Sequence, residues 1–454
     1  MGNARLRVHE LLIAAAEQTK PATDDLRAWD YGWSVVDYRR SSDARLSGPS
    51  GTFRMSPEGV DYFESAVELL LAEQPVRLRW DTEELWGIVG SLVVFLATRT
   101  ASPEEAEFQV KRLRGAPPST VVVPAANILW EGAPTVVADA AVFGEWDDPN
   151  FAEAVSTLRG ASKASKSDVA SYIASQQHHR PVTGFATVVP SQRSKAFDQA
   201  AKRLEQLCDI ALLMVREKER HGLYTLRGAW NRPGVRGLTL DRPTIESALR
   251  GSEYMEELSS QPLVLDEIGK STSAHWYSAD PLPMQRLLEM TDVVQALEKT
   301  FEAQVGVAAR IRLAARWYAE AFWANESDDA VLALGVSLDA LIGSKSGLPG
   351  KIMRDRYAML EPSAPSRQKR AQRYDEIYGV RSAIAHGGTS SRISEGDYVR
   401  KVQQDVTWTA WRLLDVEDVF GQRLASDLDQ LFDQLRWGMV SWPATGDDFR
   451  TASV

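Results

Sequence analysis

The stretch "DDAVLALGVSLDALIG", residues 328–343, decides the fold of the C-terminal half. Val331, Leu334, Leu338, Leu341 and Ile342 recur at three- and four-residue steps, which puts them on one face of an α-helix. Upstream, "RIRLAARWYAEAFW" (310–323) repeats the device with Ile311, Ala314, Tyr318 and Phe322. Downstream, "YVRKVQQDVTWTAWRLL" (398–414) does so with Val399, Val402, Val406, Ala410 and Leu413. Loops rich in Gly, Ser and Pro separate the stripes: "GSKSGLPG" (343–350), "EPSAPS" (361–366) and "GGTSSRISEGD" (387–397). From Pro283 onward, the last 170 residues or so therefore read as an all-α bundle with antiparallel neighbours.

The texture before residue 275 is different. "SPEEAEFQVKRLR" (102–114) opens like a helix, with Ser102 as N-cap, Pro103 at the first helical position and Glu105 closing a capping box. The valine-dense "STVVVPAANILW" (119–130) and "PTVVADAAVFG" (134–144) read as β-rich, and "TGFATVVP" (183–190) and "GLYTLRG" (222–228) as strands. A long helix is expected over 194–220. The polar run 161–181 reads as a connection or an exposed helix. The fold class expected is thus α+β: a mixed α/β region over 1–275, with a possible break near 135–180, then the bundle, then a loose tail over 440–454.

Composition narrows the function. The chain has 454 residues, 44% hydrophobic and 25% charged, and a formal net charge of −10. A protein that coats nucleic acid is usually basic, so any nucleic-acid contact here must be local. No segment approaches the roughly 20 apolar residues of a membrane helix. The opening "MGNARLRVHELLIAAAEQTK" reads as an amphipathic helix, since Glu10 and Glu17 interrupt the run a signal peptide needs. The one cysteine, Cys208, excludes an intramolecular disulfide and any multi-cysteine metal site and fits a reducing cytoplasm. An excess of Arg over Lys suggests a GC-rich bacterial genome.

Several short motifs fail on inspection. "GLPGK" (347–351) lacks the first glycine and the hydroxyl residue of a phosphate loop. "HELLI" (9–13) lacks the second histidine of a zinc protease helix. His178 and His179 are neighbours, about 100° apart on a helix, and cannot share a ligand. "GVSLD" around Ser337 lacks the closing glycine of a nucleophile elbow.

"YGVRSAIAHGG" (378–388) is more informative. On a helix starting near Tyr374, Ile377, Val380 and Ile384 form an apolar stripe, and Arg381 lies about 70° from its centre. His386 lies roughly 140° from Arg381. Either Gly387 and Gly388 end the helix and release the histidine, or a second chain completes the site across a two-fold axis. Histidine can move a proton near neutral pH, and arginine can hold a phosphate and stabilise developing charge. That chemistry suits RNA cleavage by the 2′-hydroxyl with no metal. The competing reading is a bundle helix with a surface arginine and a terminal histidine favoured by the helix dipole. Arg216 and His221, in "REKERHG", share the spacing but sit in a charged run expected to be a solvated helix end. Ahead of the motif, Lys345, Lys351, Arg354, Arg356, Arg367, Lys369, Arg370 and Arg373 face only Asp355 and Glu361. This basic arm is either a phosphate seat or a solvated loop.

"DDAVLALGVSLDALIG", "KIMRDRYAML" (351–360) and "YDEIYGVRSAIAHGG" (374–388), in that order, resemble the Apea-like branch of the HEPN superfamily. The resemblance covers residues 285–435. It implies a small helical bundle that dimerises to pair its motifs, and for many members a metal-independent endoribonuclease without cofactors. By position it implies Arg381 and His386 as the motif residues, Ser382 as the polar second residue and Tyr378 as the preceding aromatic. Asp339 stands where the family often has glutamate. The function expected is an RNA-cleaving toxin or antiphage effector acting on single-stranded or loop RNA. A trigger would bind residues 1–275, and the basic residues from Lys351 to Arg373, with Tyr378, would contact the RNA. The alternative is a non-catalytic HEPN interaction or nucleotide-binding module.

Overall fold

A computed structural model describes residues 7–21, 44–48, 51–98, 103–115, 118–125, 128–130, 132–145, 148–161, 183–191, 193–215, 236–241, 264–269, 282–324, 326–343, 349–394, 397–420 and 428–442. Arg216, His221, His178, His179, Lys345, the strand expected over 222–228 and nearly all of the run 161–181 lie outside the described residues.

The chain opens with helix α1 (Val8–Glu17) and a three-stranded antiparallel sheet in the order β1 (Thr19–Pro21), β3 (Gly51–Met55), β2 (Ala44–Gly48). Helices α2 (Pro57–Ala72), α3 (Gln74–Arg79), α4 (Thr82–Thr98) and α5 (Pro103–Arg114) come after it. Ser56 caps α2 by accepting from Gly59 N at 3.2 Å, with Pro57 in the first turn, where no N–H is needed. Leu12, Ala15, Phe63, Val67, Leu70, Leu85, Val89 and Leu92 form a core of their own. Two side chains from residues 191–195 tie this unit to the rest of the chain. Ser191 Oγ donates to Leu78 O at 2.7 Å, and Lys195 Nζ donates to Trp80 O at 3.1 Å.

A six-stranded sheet comes next. Its order is β10 (Val264–Gly269), β9 (Arg236–Asp241), β4 (Ser119–Ala125), β8 (Thr183–Val189), β7 (Ala141–Glu145), β6 (Thr135–Val137), antiparallel throughout. Successive side chains of a strand leave by opposite faces. Val121 therefore joins the core on one face and Val122 the core on the other, as Phe143 and Val142 do. Helix α6 (Pro149–Thr157) covers the second face with Phe151 and Val155. Helix α7 (Arg193–Met214) covers the first with Ala196, Ala200, Leu204, Leu207 and Ala211. A two-residue parallel pairing joins β5 (Ile128–Leu129) to β11 (Leu282–Pro283).

The remaining elements are helical: α8 (Met284–Leu288), α9 (Thr291–Thr300), α10 (Gly306–Trp323), α11 (Ser327–Ile342), α12 (Pro349–Met359), α13 (Ala364–Ala385), α14 (Tyr398–Phe420) and α15 (Leu428–Arg436), with a 3-10 turn at Ser391–Ser394. The stripe residues Ile311, Ala314, Tyr318, Val331, Leu334, Leu338, Leu341, Ile342, Val402, Val406, Ala410 and Leu413 are all buried. Together with α7 and one face of the large sheet they form a single continuous core. Trp411 Nε1 pins the two parts by donating to Met214 O at 3.2 Å. The overall class is α+β, mostly helical.

Two boundaries differ from the sequence reading. Helix α13 starts at Ala364, not near Tyr374, so the end of "EPSAPS" and the basic residues after it are helical. Pro365 causes no break because it sits in the first turn. The start of the tail expected to be loose is docked at Trp442, which is 6% exposed, donates from Nε1 to Met359 O at 2.9 Å and packs edge-on against Phe420, while 443–454 lie outside the described residues. Among the described residues no helix is long and apolar enough to cross a membrane.

Candidate active site

Helix α13 lies across α11 and α12 and buries Tyr374, Ile377 and Val380. Arg381 follows Val380 and is half-buried. Its Nη2 meets Asp339 Oδ2 of α11 at 2.6 Å. The other oxygen, Asp339 Oδ1, is buried with no hydrogen-bond partner. Burial raises the Asp339 carboxyl above its ordinary range, and the charge and hydrogen bond of Arg381 oppose that shift without cancelling it. Desolvation is the larger effect because most of the carboxylate is withdrawn from water between helices.

Beside this pair, Tyr374 is 2% exposed, and burial, reinforced by Asp339, pushes its phenol up. Tyr378 stacks on Tyr374 with centroids 6.2 Å apart and an interplanar angle of 22°. Its ring packs over Gly350 of α12, where a Cβ would stand 3.1 Å from Cζ. The rest of the ring faces out, leaving Tyr378 40% exposed. Ser382 is half-buried.

The helix ends one residue before His386. Gly387 N donates to Ile384 O at 2.9 Å, and Gly388 N donates to Ala383 O at 2.8 Å. That pair of bonds is a Schellman ending, and it needs a left-handed residue, which Gly387 supplies with φ 77°. His386, as C-cap, has φ −95° and ψ 15°, and it is exposed. The glycines therefore end the helix, as the first of the two routes to a site requires. They do not redirect the histidine. The Cβ direction at 386 is set by the backbone before Gly387, which is still helical as far as Ala385, so His386 leaves the axis about 140° round from Arg381.

From Lys351 to Arg373 the basic residues of the arm all fall on two helices, α12 and α13. Lys351 and Lys369 are exposed. Arg354 is half-buried and lies 3.3 Å from Asp355 and 3.8 Å from Asp375. Arg356 is 6% exposed and committed inward: Nη1 donates to Ile342 O and Gly343 O at 3.0 and 2.9 Å, and Nη2 pairs with Asp429 at 2.6 Å. Arg367 donates to Glu361 O at 2.8 Å and Pro362 O at 3.3 Å, closing the turn before α13. Arg370 and Arg373 reach Asp405 of α14 at 3.4 and 2.8 Å. Arg356 thus holds the bundle together and does not face outward as an RNA contact, and the Arg367 guanidinium is taken up by the turn before its own helix. A charge run read along the chain cannot reveal this, because it does not show the acceptors.

Sequence reasoning missed Asp405. It also accepts from Tyr357 OH at 2.7 Å, so one carboxylate joins α12, α13 and α14. The available signal was a carboxylate next to Val402 and Val406 on a face otherwise apolar. Arg370, Arg373, Asp405 and Trp408, with Lys401 and Gln404, line a cleft of about 450 Å³, with the Arg370 guanidinium 3.7 Å from the Trp408 ring centroid. Among the described residues no group of His, Cys, Asp and Glu is arranged to hold a metal ion. No family model, no curated protein and no solved structure matches the chain.

Proposed function

We propose that the protein is a metal-independent endoribonuclease of HEPN type that acts as a homodimer. The observation that carries this reading is the Arg381–Asp339 pair, which fixes a guanidinium on the same last turns of α13 that present His386 to solvent. In the reaction His386 takes the 2′-hydroxyl proton, the 2′-oxygen bonds to phosphorus and the bond to the 5′-oxygen breaks. A proton returned to that oxygen completes the step, leaving a 2′,3′-cyclic phosphate and a 5′-hydroxyl. Arg381 stabilises the charge that builds on the phosphoryl oxygens, Asp339 orients it, and Ser382 supports the site as a hydrogen-bond donor. Because His386 and Arg381 point apart on one helix, a shared cleft takes Arg381 from one chain and His386 from the other across a two-fold axis. This reading assigns RNA contact to the exposed Lys351, Lys369 and Tyr378. The setting is a bacterial toxin or antiphage effector in the cytoplasm, with a trigger received by residues 1–275.

One observation favours the alternative, a non-catalytic HEPN module: within one chain Arg381 and His386 leave the helix about 140° apart. A single experiment separates the two. Purified protein is incubated with RNA in EDTA, and the ends of the products are determined. Cyclic phosphate ends are expected, with at least a roughly hundredfold loss in His386→Ala and in Arg381→Ala. Cleavage abolished by chelation, or unaffected by both substitutions, overturns the assignment.

A further inference from the structure

Gly335 is buried in the middle of α11. Glycine is disfavoured there relative to alanine, because it loses more backbone freedom when the helix forms. Something at this position must offset that. A Cβ built on Gly335 would stand 2.5 Å from Arg381 Cδ, 2.9 Å from Nε and 3.2 Å from Cγ. The three nearest atoms all belong to one side chain, and real Cβ contacts under 3.0 Å essentially never occur. Asp339 lies four residues on, over the same face of the helix. The stem of Arg381 therefore crosses α11 where the side chain is missing, and its head lands on Asp339 one turn later.

We infer that Gly335 is a positioning residue for Arg381: its missing side chain is the channel that lets the guanidinium reach Asp339. Two other helical glycines give the contrast. A Cβ at Gly87 or at Gly379 would meet nothing within 4 Å. Gly87 lies on α4, in the separate N-terminal core and away from Arg381 and His386, so it is the control. Whether the positioning serves catalysis rests on the nuclease reading; whether it exists does not.

The test has a structural arm and a catalytic arm. In the structural arm, Gly335→Ala, Arg381→Ala and the double variant are unfolded in urea. Gly335→Ala should lower the urea midpoint of the wild type and raise that of Arg381→Ala, where the clash is gone and only the helix preference remains. An equal effect in both backgrounds overturns the inference. The double variant also covers the case in which Gly335→Ala alone does not fold, since removing the arginine should restore folding. In the catalytic arm, RNA cleavage in EDTA should fall at least about tenfold in Gly335→Ala, in kcat and not in KM, as expected for an interaction made in the transition state. Gly87→Ala should cleave like the wild type. Coupling in urea with no loss of kcat overturns the catalytic role of the positioning. A wild type that cleaves no RNA overturns the nuclease reading and leaves the urea cycle to decide the positioning.

Discussion

Arg356→Ala separates an arginine that holds the bundle from one that meets RNA. The Arg356 side chain is 7% exposed. It binds the last carbonyls of α11, those of Ile342 and Gly343, pairs with Asp429 of α15 and lies 5.3 Å from the Phe432 ring centroid. Breaking a buried ion pair from one side costs about 3–5 kcal/mol, because the remaining charge and acceptors stay desolvated. Two details pull the figure toward the lower end. The Asp429 side chain is 36% exposed and can rehydrate, and Gly343 O keeps a second donor, Arg310 Nη1, at 2.8 Å. A loss of about 3 kcal/mol is expected, and at ~2–4 °C per kcal/mol for a unit of this size the melting temperature should fall by about 6–12 °C. Urea unfolding with linear extrapolation measures the first quantity and calorimetry the second. Lys351→Ala, one turn earlier and exposed, should change stability by no more than ~0.5 kcal/mol. At low temperature, where both variants remain folded, Arg356→Ala should bind RNA like the wild type. A stability loss under ~1 kcal/mol would refute the reasoning, since the guanidinium would then have to be solvated.

Acidification should partly rescue Arg381→Ala. Burial raises the Asp339 carboxyl and Arg381 opposes the shift, so removing the arginine raises it further. An acid with a raised folded-state pKa contributes stability that is full at low pH and lost as pH rises through that pKa, at ~1.4 kcal/mol per unit. The deficit of Arg381→Ala relative to wild type should therefore shrink as pH is lowered from 7 toward the ordinary carboxylate range. It should become independent of pH once Asp339→Asn is added, and a deficit unchanged by pH in Arg381→Ala itself counts against the pair. At the end of α13, Gly387→Ala must adopt φ near 77°, which costs an L-residue ~1–2 kcal/mol, and Gly387→Asn should lose less. Equal urea midpoints for wild type and Gly387→Ala would mean that the helix ends in some other way.

The bundle was legible because one helix face carries the whole signal. Val331 to Ile342 and Val402 to Leu413 are spaced for burial and are buried. The strands were legible for a related reason: "STVVVPAANILW" and "TGFATVVP" are valine-dense and short, and they pair along β4 and β8 with Val121 opposite Thr187. Their order in the sheet was not legible. β9 and β10 come late in the chain and add to β4, and no local pattern specifies that edge. Nor does periodicity reveal that α7 serves the sheet and the bundle at once. Trp411 finds its acceptor, Met214 O, 197 residues away.

The same distinction between local and distant governs the site. The places of Arg381 and His386 follow from 100° per residue and a pair of glycines, both local facts. The state of each arginine does not, because its acceptor sits on another helix: Asp405 is 32 residues from Arg373 and 35 from Arg370. The basic positions read along the chain as one arm, yet Arg354, Arg356, Arg367, Arg370 and Arg373 turn toward different neighbours. Distance along the chain also separates the two halves of the motif. Arg381 is fixed by α11, a helix apart in sequence, whereas His386 is fixed only by the glycines that come after it. On the proposed reading a phosphate held against Arg381 would be anchored to the packed bundle, while His386 stands exposed at a helix end. Joining them requires a second surface opposite that end, and in an isologous pairing another α13 is the surface that brings a complementary histidine and arginine at once.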